Sequence, residues 1–259
     1  MAPCSTDGVE GYGPASYGEA FADVYDRWYA DVSDVDSTVA FIAALAAGGP
    51  VLELGVGTGR LALPLAARAV PMTGIDTSAR MVARLREKAG GDRVDVAVGD
   101  MSRDEDVPTG PFAVVFVAYN TIFNLLEPGA QERCFQVVAS RLEPAGAFVV
   151  EAFVPDEAQP AGGHVEVRSM TADSVVLSVN RHDPAGRRIE GQFVELTEAG
   201  GVHLRPWAIH YSSPDQLDAM ASATGLVLAE RSADWMQTPF TAASTHHVSV
   251  YRRSDLGRA

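Results

Sequence analysis

Only two cysteines occur in this chain, Cys4 near its start and Cys134 in an apolar stretch with helical spacing. Two thiols so placed build neither a disulfide framework nor a zinc cluster, so no metal is expected and a reducing cytoplasm is the expected compartment. Basic charge is scarce too: 20 Lys and Arg face 34 Asp and Glu, for a formal net charge of -14 and a pI near 4.7. Such a surface repels phosphate backbones and anionic lipids, which argues against nucleic acid and membranes as partners. Met1 to Gly13 has no basic region followed by an apolar one, and no stretch approaches the roughly 18 apolar residues of a membrane span. Neither export nor membrane insertion is expected.

The 259 residues are 47% hydrophobic with a mean hydropathy of +0.03, ample for one large domain or a domain with a cap. The most informative stretch runs Val51-Leu52-Glu53-Leu54-Gly55-Val56-Gly57-Thr58-Gly59-Arg60, an apolar strand ending in an acid and then in three alternating glycines. Glycines admit positive φ and let a ligand lie against the main chain, while the helix that follows points N–H groups at it. A dinucleotide fingerprint needs its third glycine one residue later, where Arg60 stands. An acid about 20 residues on, which a nucleotide-binding βαβ unit uses for the ribose, is present as Asp76 after the short strand Val70 to Ile75. A third strand, Val94 to Val98, ends in Gly99-Asp100-Met101, where a second acid can accept from an adenine amino group.

In this order and at these intervals the pieces resemble the class I S-adenosylmethionine-dependent methyltransferases, whose loop reads acid-x-Gly-x-Gly-x-Gly, matched here from Glu53 to Gly59. The resemblance spans roughly Tyr17 to Phe153, with Phe112 to Asn120 as the fourth strand and Arg141 to Gly146 as the turn into the fifth. Ala145-Gly146 stands where many relatives have two glycines. The resemblance implies an α/β, Rossmann-like sheet of seven strands, the last antiparallel, and S-adenosylmethionine as cofactor. It further implies that Glu53, Gly55, Gly57 and Gly59 hold the methionine part, Asp76 the ribose, and Asp100 with Met101 the adenine, Thr77 and Ala118 completing the set.

Residues 1–15, rich in Gly, Pro and Ser, read as a flexible arm, and residues 16–153 as lid plus cofactor-binding core. Tyr17, Phe21, Tyr25, Trp28 and Tyr29 recur at steps of three and four, one face of a helix. That face is either plain core or, as the resemblance implies, a lid whose Tyr17 and Tyr25 touch the methionine carboxylate. Strands over 50–54, 71–75, 94–98, 112–118 and 146–153 alternate with helices over 59–68, 78–89 and 129–142, the pattern of a parallel sheet wrapped by helices. Another helix, Ser37 to Ala47, stops at Gly48-Gly49 before the first strand. Residues 154–212 change texture to period-two stretches with no room for helices between them. They form an antiparallel β insert, either a substrate cap or an edge extension of the main sheet. Residues 213–259 complete the core sheet.

Methyl transfer from a sulfonium is an in-line displacement, so positioning dominates and only a hydroxyl or acidic carbon needs a base. The end of the fourth strand faces the ligand in such sheets. Tyr119 and Asn120 are therefore the first candidates for handling the acceptor, with Phe123 and Asn124 beside them. Among six histidines, His164 and His182 read as solvated, His246 and His247 as loop residues, and His210 as the candidate base. His210 shares a strand with Arg205, Trp207 and Tyr211 but points to the opposite face, and only one face can meet the substrate. Arg181, Arg187, Arg188 and Arg205 offer either an anion site or a solvated face.

A looser resemblance, from Leu204 to Tyr251, is to amino-sugar and peptide-amine N-methyltransferases of antibiotic biosynthesis. The expected function is S-adenosylmethionine-dependent methylation of a small-molecule amine in secondary metabolism. O-methylation and non-methylating use of the same cofactor remain alternatives, as does a homodimer. A nicotinamide oxidoreductase is disfavoured by Arg60.

Overall fold

A computed structural model describes residues 9–30, 34–156 and 158–254. Chain order begins with two short helices, α1 (Ser16–Phe21) and α2 (Tyr25–Trp28), then α3 (Val35–Ala46). Strand β1 (Val51–Leu54), α4 (Ala62–Ala67), β2 (Met72–Asp76), α5 (Ala79–Glu87), β3 (Val94–Val98), β4 (Phe112–Val117), α6 (Ala130–Arg141) and β5 (Leu142–Phe153) follow. A separate antiparallel meander of β6 (Gly162–Met170), β7 (Ser174–Asp183), β8 (Arg188–Thr197) and β9 (Gly201–His210) comes next. Then α7 (Pro214–Ala223), β10 (Leu226–Ser232) and β11 (His246–Arg253) return to the first sheet.

That sheet has seven strands in the order β10-β11-β5-β4-β1-β2-β3. The pairs among β1 to β5 are parallel, whereas β11 runs antiparallel to both β5 and β10. The expected architecture is therefore present, last strand included. Strands covered on both faces read as unbroken apolar runs, and Val114 to Val117 of β4 are fully buried. One face packs on α6 and α7 through Phe135, Phe148, Leu217 and Tyr251, the other on α3, α4 and α5 through Ile42, Leu65 and Leu85. Side-chain caps from Asp34, Ser78 and Ser213 start α3, α5 and α7.

The single amphipathic helix expected over Tyr17 to Tyr29 is instead two, and Arg205 is the reason. Its guanidinium donates to the Ala20 carbonyl, the group a continuous helix would offer to the Val24 N–H, so Val24 turns to Phe21 at 2.9 Å. The same guanidinium holds the Asp23 carboxylate at 2.7 and 3.0 Å and Glu195 of β8 at 3.1 Å, tying the lid to the four-stranded sheet. The aromatics nevertheless stay together: Phe21 and Tyr29 are buried with Val176, Phe193 and Met81, and Trp28 and Trp207 pack around them. The insert is thus its own sheet and not an extension of the large one. Residues 9–15, read as part of a flexible arm, are placed: the Val9 N–H donates to Glu190 at 3.0 Å and Thr77 donates to the Pro14 carbonyl at 3.0 Å.

Candidate active site

Two cavities open at the carboxyl ends of the parallel strands. The first lies over β1, β2 and β3 under α1, with some 670 Å³ of space between side chains, part of it open to solvent. Tyr17, Tyr25, Gly55, Gly57, Asp76, Thr77, Asp100 and Met101 all line it, so eight of the expected cofactor residues are brought together. Pro14, Met81 and Leu125 share the wall, as do Thr121 and Asn124 of the 3-10 turn Thr121–Asn124.

The three glycines of the loop do different work. A Cβ on Gly57 would meet nothing nearer than 4.0 Å, which keeps the cavity floor open, whereas one on Gly55 would strike Thr121 at 2.3 Å. Gly59 does not line the cavity; its missing side chain lets Leu63 and Leu85 close in at 2.9 Å. The resemblance expected Gly59 to hold ligand, and the structure uses it for helix packing. Ala118 is likewise buried in the core and off the cavity wall.

Asp76 accepts from the Gly57 N–H at 2.9 Å and the Ser78 N–H at 2.8 Å, one on each oxygen. Burial pushes its carboxyl up against those two bonds, and each oxygen keeps acceptor capacity toward the cavity. Asp100 accepts from the Ser102 N–H at 2.7 Å with one oxygen. Glu53 is buried beneath the loop with Oε2 unpartnered, and burial raises its carboxyl to about 8 against the pull of Arg60. An unpaired buried carboxyl oxygen is costly and calls for a donor. Two acids that fit ribose and adenine, apolar walls from Ile75 and Met101, and an orphan acceptor that fits an ammonium group suit one adenosine carrying an amino acid.

Above Glu53, the Arg60 guanidinium lies 5.5 Å from the centre of the Tyr119 ring, and Tyr25 stacks on Tyr29 at 4.7 Å. The Tyr17 hydroxyl donates to that of Tyr29 at 3.1 Å. Burial raises the Tyr17 and Tyr25 phenols, Tyr25 to about 12, so both stay neutral donors at any working pH.

The second cavity, with some 790 Å³ of space between side chains, part of it open to solvent, sits at the ends of β4, β5 and β11. Tyr119, Asn120, Glu151, Asp34, Asp234 and His246 line it, with Trp235 and Met236 from the β10–β11 loop. No lysine or arginine is among its lining residues. Trp235 brings a buried indole N–H without a partner. Tyr119 and Asn120 adopt positive φ of 53° and 64°, a strain held by Glu151, whose carboxylate accepts the Tyr119 N–H at 2.8 Å. Asn120 spends its Oδ1 on the Phe153 N–H at 2.7 Å, so its amide carbonyl serves the loop before any substrate.

His210 is not brought here. It lies on the outer face of β9, half-buried, and burial followed by the charges of Arg187 and Arg188 lowers its imidazole. Inward pointing falls to the Arg205, Trp207 and Tyr211 set. His182, read as solvated, is buried against the Tyr211 hydroxyl at 2.8 Å, and His247 is buried with Ser249 at 2.8 Å. Arg181 pairs with Glu190, and Arg205 is buried against Asp23 and Glu195, so neither is the solvated residue that one reading made it, nor a member of the anion site that the other offered. Glu151, Trp235, Asp34 and Asp234 escaped sequence reasoning, since they lie on three distant segments without a shared motif. Among the described residues no cluster of His, Cys, Asp and Glu fits a metal, and no helix is long and apolar enough to cross a membrane.

Comparisons with known proteins agree with this geometry. A family described as "Methyltransferase domain" matches residues 51–146. The structure of the CcbJ methyltransferase from Streptomyces caelestis superposes with a TM-score of 0.86 at 39% identity, covering 93% of this chain and 99% of that one. The cypemycin N-terminal methyltransferase of a Streptomyces species is 28% identical over 249 residues, 93% of this chain and 98% of its own length. A sugar N-methyltransferase from a Streptoalloteichus species shares the fold, with a TM-score of 0.67 at 18% identity over 98% of this chain and 99% of the other.

Proposed function

The chain belongs to the S-adenosylmethionine-dependent methyltransferases, and we propose that it methylates an amine on a small natural product or peptide in the cytoplasm. S-adenosylmethionine supplies an electrophilic methyl group when bound. In this reading the first cavity is the cofactor site: Asp76 and Thr77 bind the ribose, Asp100 and Met101 the adenine, and Tyr25 and Tyr17 the amino-acid end, with Glu53, buried and off the cavity wall, as the acceptor behind it. The lid formed by α1 and α2 excludes water from it.

The observation that carries the amine assignment is the second cavity's charge. Three carboxylates and no cation line a chamber at the strand ends, in a position to collect an ammonium group and to hold its proton as the neutral amine attacks. Glu151, fixed by its bond from the Tyr119 N–H, keeps its other oxygen for that task. Support from relatives runs the same way, since the cypemycin enzyme is named for an N-terminus and the sugar enzyme for N-methylation. The test is a panel of amino sugars, peptides with open N-termini and phenols, read by S-adenosylhomocysteine release and product mass. Methylated amines are expected. Glu151→Gln should raise KM for the amine about tenfold, one charged contact in a partly wet site, and leave S-adenosylhomocysteine affinity unchanged. Turnover of phenols alone would sink the proposal.

A further inference from the structure

Basic side chains around the lid find acids: Arg27 pairs with Glu195, Lys88 with Asp26, and Arg205 with Asp23 and Glu195. Arg168 does not. Among the described residues its exposed guanidinium makes no ion pair and no hydrogen bond. A cradle of three rings holds it instead, with the guanidinium carbon 4.6 Å from the centre of Phe193, 5.2 Å from that of Tyr29 and 5.5 Å from that of Trp28. Ring faces attract a cation and leave its edge of N–H donors open. The backbone aims it there: Val167 pairs with Leu177 but Ser169 with Val176, so Arg168 is the extra residue of a β-bulge on the edge strand β6. Bulges redirect a side chain, often beside an active site. The acids nearest in the sheet do not serve it. Glu195, opposite Val176, has one oxygen on Arg27 and the other on Arg205, and Glu166, on β6 itself, makes no ion pair.

From the cradle the rings lead to the acceptor chamber. The Tyr29 ring lies 5.8 Å from that of Tyr119, centre to centre, and Tyr119 lines the second cavity. Burial raises the Tyr119 phenol while the charges of Arg168 and Arg60 pull against it, so the field of Arg168 reaches the chamber wall. That chamber is lined by Asp34, Glu151 and Asp234, so the positive end of an acceptor belongs inside it and a negative end beyond Tyr119, toward the cradle. A single guanidinium matches one carboxylate through its planar fork. A diphosphate would call for further cations, and Arg27 and Arg205 beside it are already paired. We propose that Arg168 receives a carboxylate of the acceptor, which is therefore a zwitterion with its amine in the acidic chamber and its acid group on the aromatic cradle. The assignment rests on the amine reading of the second cavity and narrows its substrate.

The test offers short peptides with open N-termini, each as the free acid and as the amide, and reads the ratio of kcat/KM for the two. Wild type should favour the best acid by about thirtyfold, Arg168→Gln should bring the ratio near one, and Arg168→Lys, a charge without the fork, should keep about threefold. High salt should shrink the wild-type preference, because the site is exposed. Affinity for S-adenosylhomocysteine should hold in both variants, whereas a residue that only packs the lid would move that affinity and leave the ratio intact. Arg168→Lys carries the test by itself if Arg168→Gln misfolds. Methylated peptides with no preference for the acid, or a preference that survives Arg168→Gln, overturn the carboxylate site and leave the amine reading standing. Turnover of phenols alone overturns the amine reading, and with it the zwitterion; the ratio for a hydroxybenzoate against its amide then upholds or overturns the carboxylate site by the same measure.

Discussion

The two cavities at the strand ends are built in opposite ways. Eight of the sixteen residues lining the cofactor cavity come from the ends of β1, β2 and β3, with Gly55, Gly57, Asp76 and Asp100 inside a window of about fifty residues, and the rest from residues 14–25, α5 and residues 121–125. The chamber proposed for the acceptor draws on α3's N-cap, residues 119–120 after β4, β5, the β10–β11 loop and β11, over two hundred residues apart at the extremes. A cofactor shared by many enzymes can be met by one local arrangement. An acceptor peculiar to one enzyme is met by tertiary assembly, so changes in the first region should reach cofactor binding and changes in the second should not.

Arg205 ties the segment over the first region to the four-stranded sheet, and breaking that tie should have the largest effect. Its guanidinium is 7% exposed and bridges Asp23, Glu195 and the Ala20 carbonyl while lying 5.3 Å from the Trp28 ring. Arg205→Met leaves Glu195 buried with only the exposed Arg27, so stability should fall by about 3 kcal/mol. Because Val24 is then released to rejoin Ala20, α1 and α2 should fuse, visible as new hydrogen-exchange protection at residues 22–25. Unchanged stability and exchange would show that the lid is held by aromatic packing alone.

Asp76→Ala should come next, lowering S-adenosylhomocysteine affinity by about 1.5 to 3 kcal/mol in calorimetry through unpaired ribose hydroxyls. It also strips the Gly57 and Ser78 N–H groups of their acceptor, so a smaller loss of thermal stability should accompany it. The same change should leave the acceptor KM alone. Normal cofactor binding would remove Asp76 from the site.

Glu53 offers a finer probe of the cofactor region, through protons. Its folded value, raised to about 8 from an unfolded 4.5, means that the carboxyl is largely protonated at pH 7. Sign follows directly: stability from this group is full below pH 4.5 and is lost as pH rises through about 8, where the buried carboxylate must ionise. Binding of a cationic amino group beside it favours the carboxylate, so S-adenosylhomocysteine should expel most of a proton at pH 7 and none well above pH 8. Calorimetry in buffers of different ionisation enthalpy reads this, and Glu53→Gln should abolish it. Proton uptake, or release that survives in Glu53→Gln, would mean that another group meets the amino end.

Legibility in the sequence divided along the same line. The alternation of strands and helices, the antiparallel insert and the glycine loop follow from periodicity and local spacing, which act over tens of residues, while the seven-stranded sheet with its antiparallel last strand was implied by the family resemblance. The broken lid did not, because the residue that breaks it, Arg205, comes some 180 positions later and nothing in Ala22-Asp23-Val24 announces it. Gly59 looked like ligand-binding backbone and is packing space for Leu63 and Leu85, a distinction that depends on where α5 lies. Glu151 sits inside an apolar strand with no motif around it, and its importance appears only when the strained Tyr119 N–H is found to donate to it. Alternation on β9 correctly divided Arg205, Trp207 and Tyr211 from His210, but which set faced inward was a matter of sheet packing.

That last division gives the smallest effect and a strict test of the comparison. His210 has the chemistry of a base: burial and two neighbouring arginines lower its imidazole, so it is neutral near pH 7. Position denies it the role, because it stands on the outer face of β9, near Arg187, Arg188 and Glu132, and neither it nor any residue of the four-stranded sheet lines the chamber. Its own backbone carbonyl accepts from Gln131 at 2.6 Å, a bond that survives replacement of the ring. His210→Ala should therefore keep amine methylation within about twofold, as expected where no proton transfer is lost. His246→Ala, which alters the chamber wall, should cost more, about fivefold and chiefly in KM. Rates for the two variants on one amine acceptor, beside their S-adenosylhomocysteine affinities, decide between these outcomes. A loss near a thousandfold in His210→Ala with cofactor binding intact would mean that the insert turns its other face to the substrate during catalysis, and the acceptor would then be a hydroxyl that needs its proton removed.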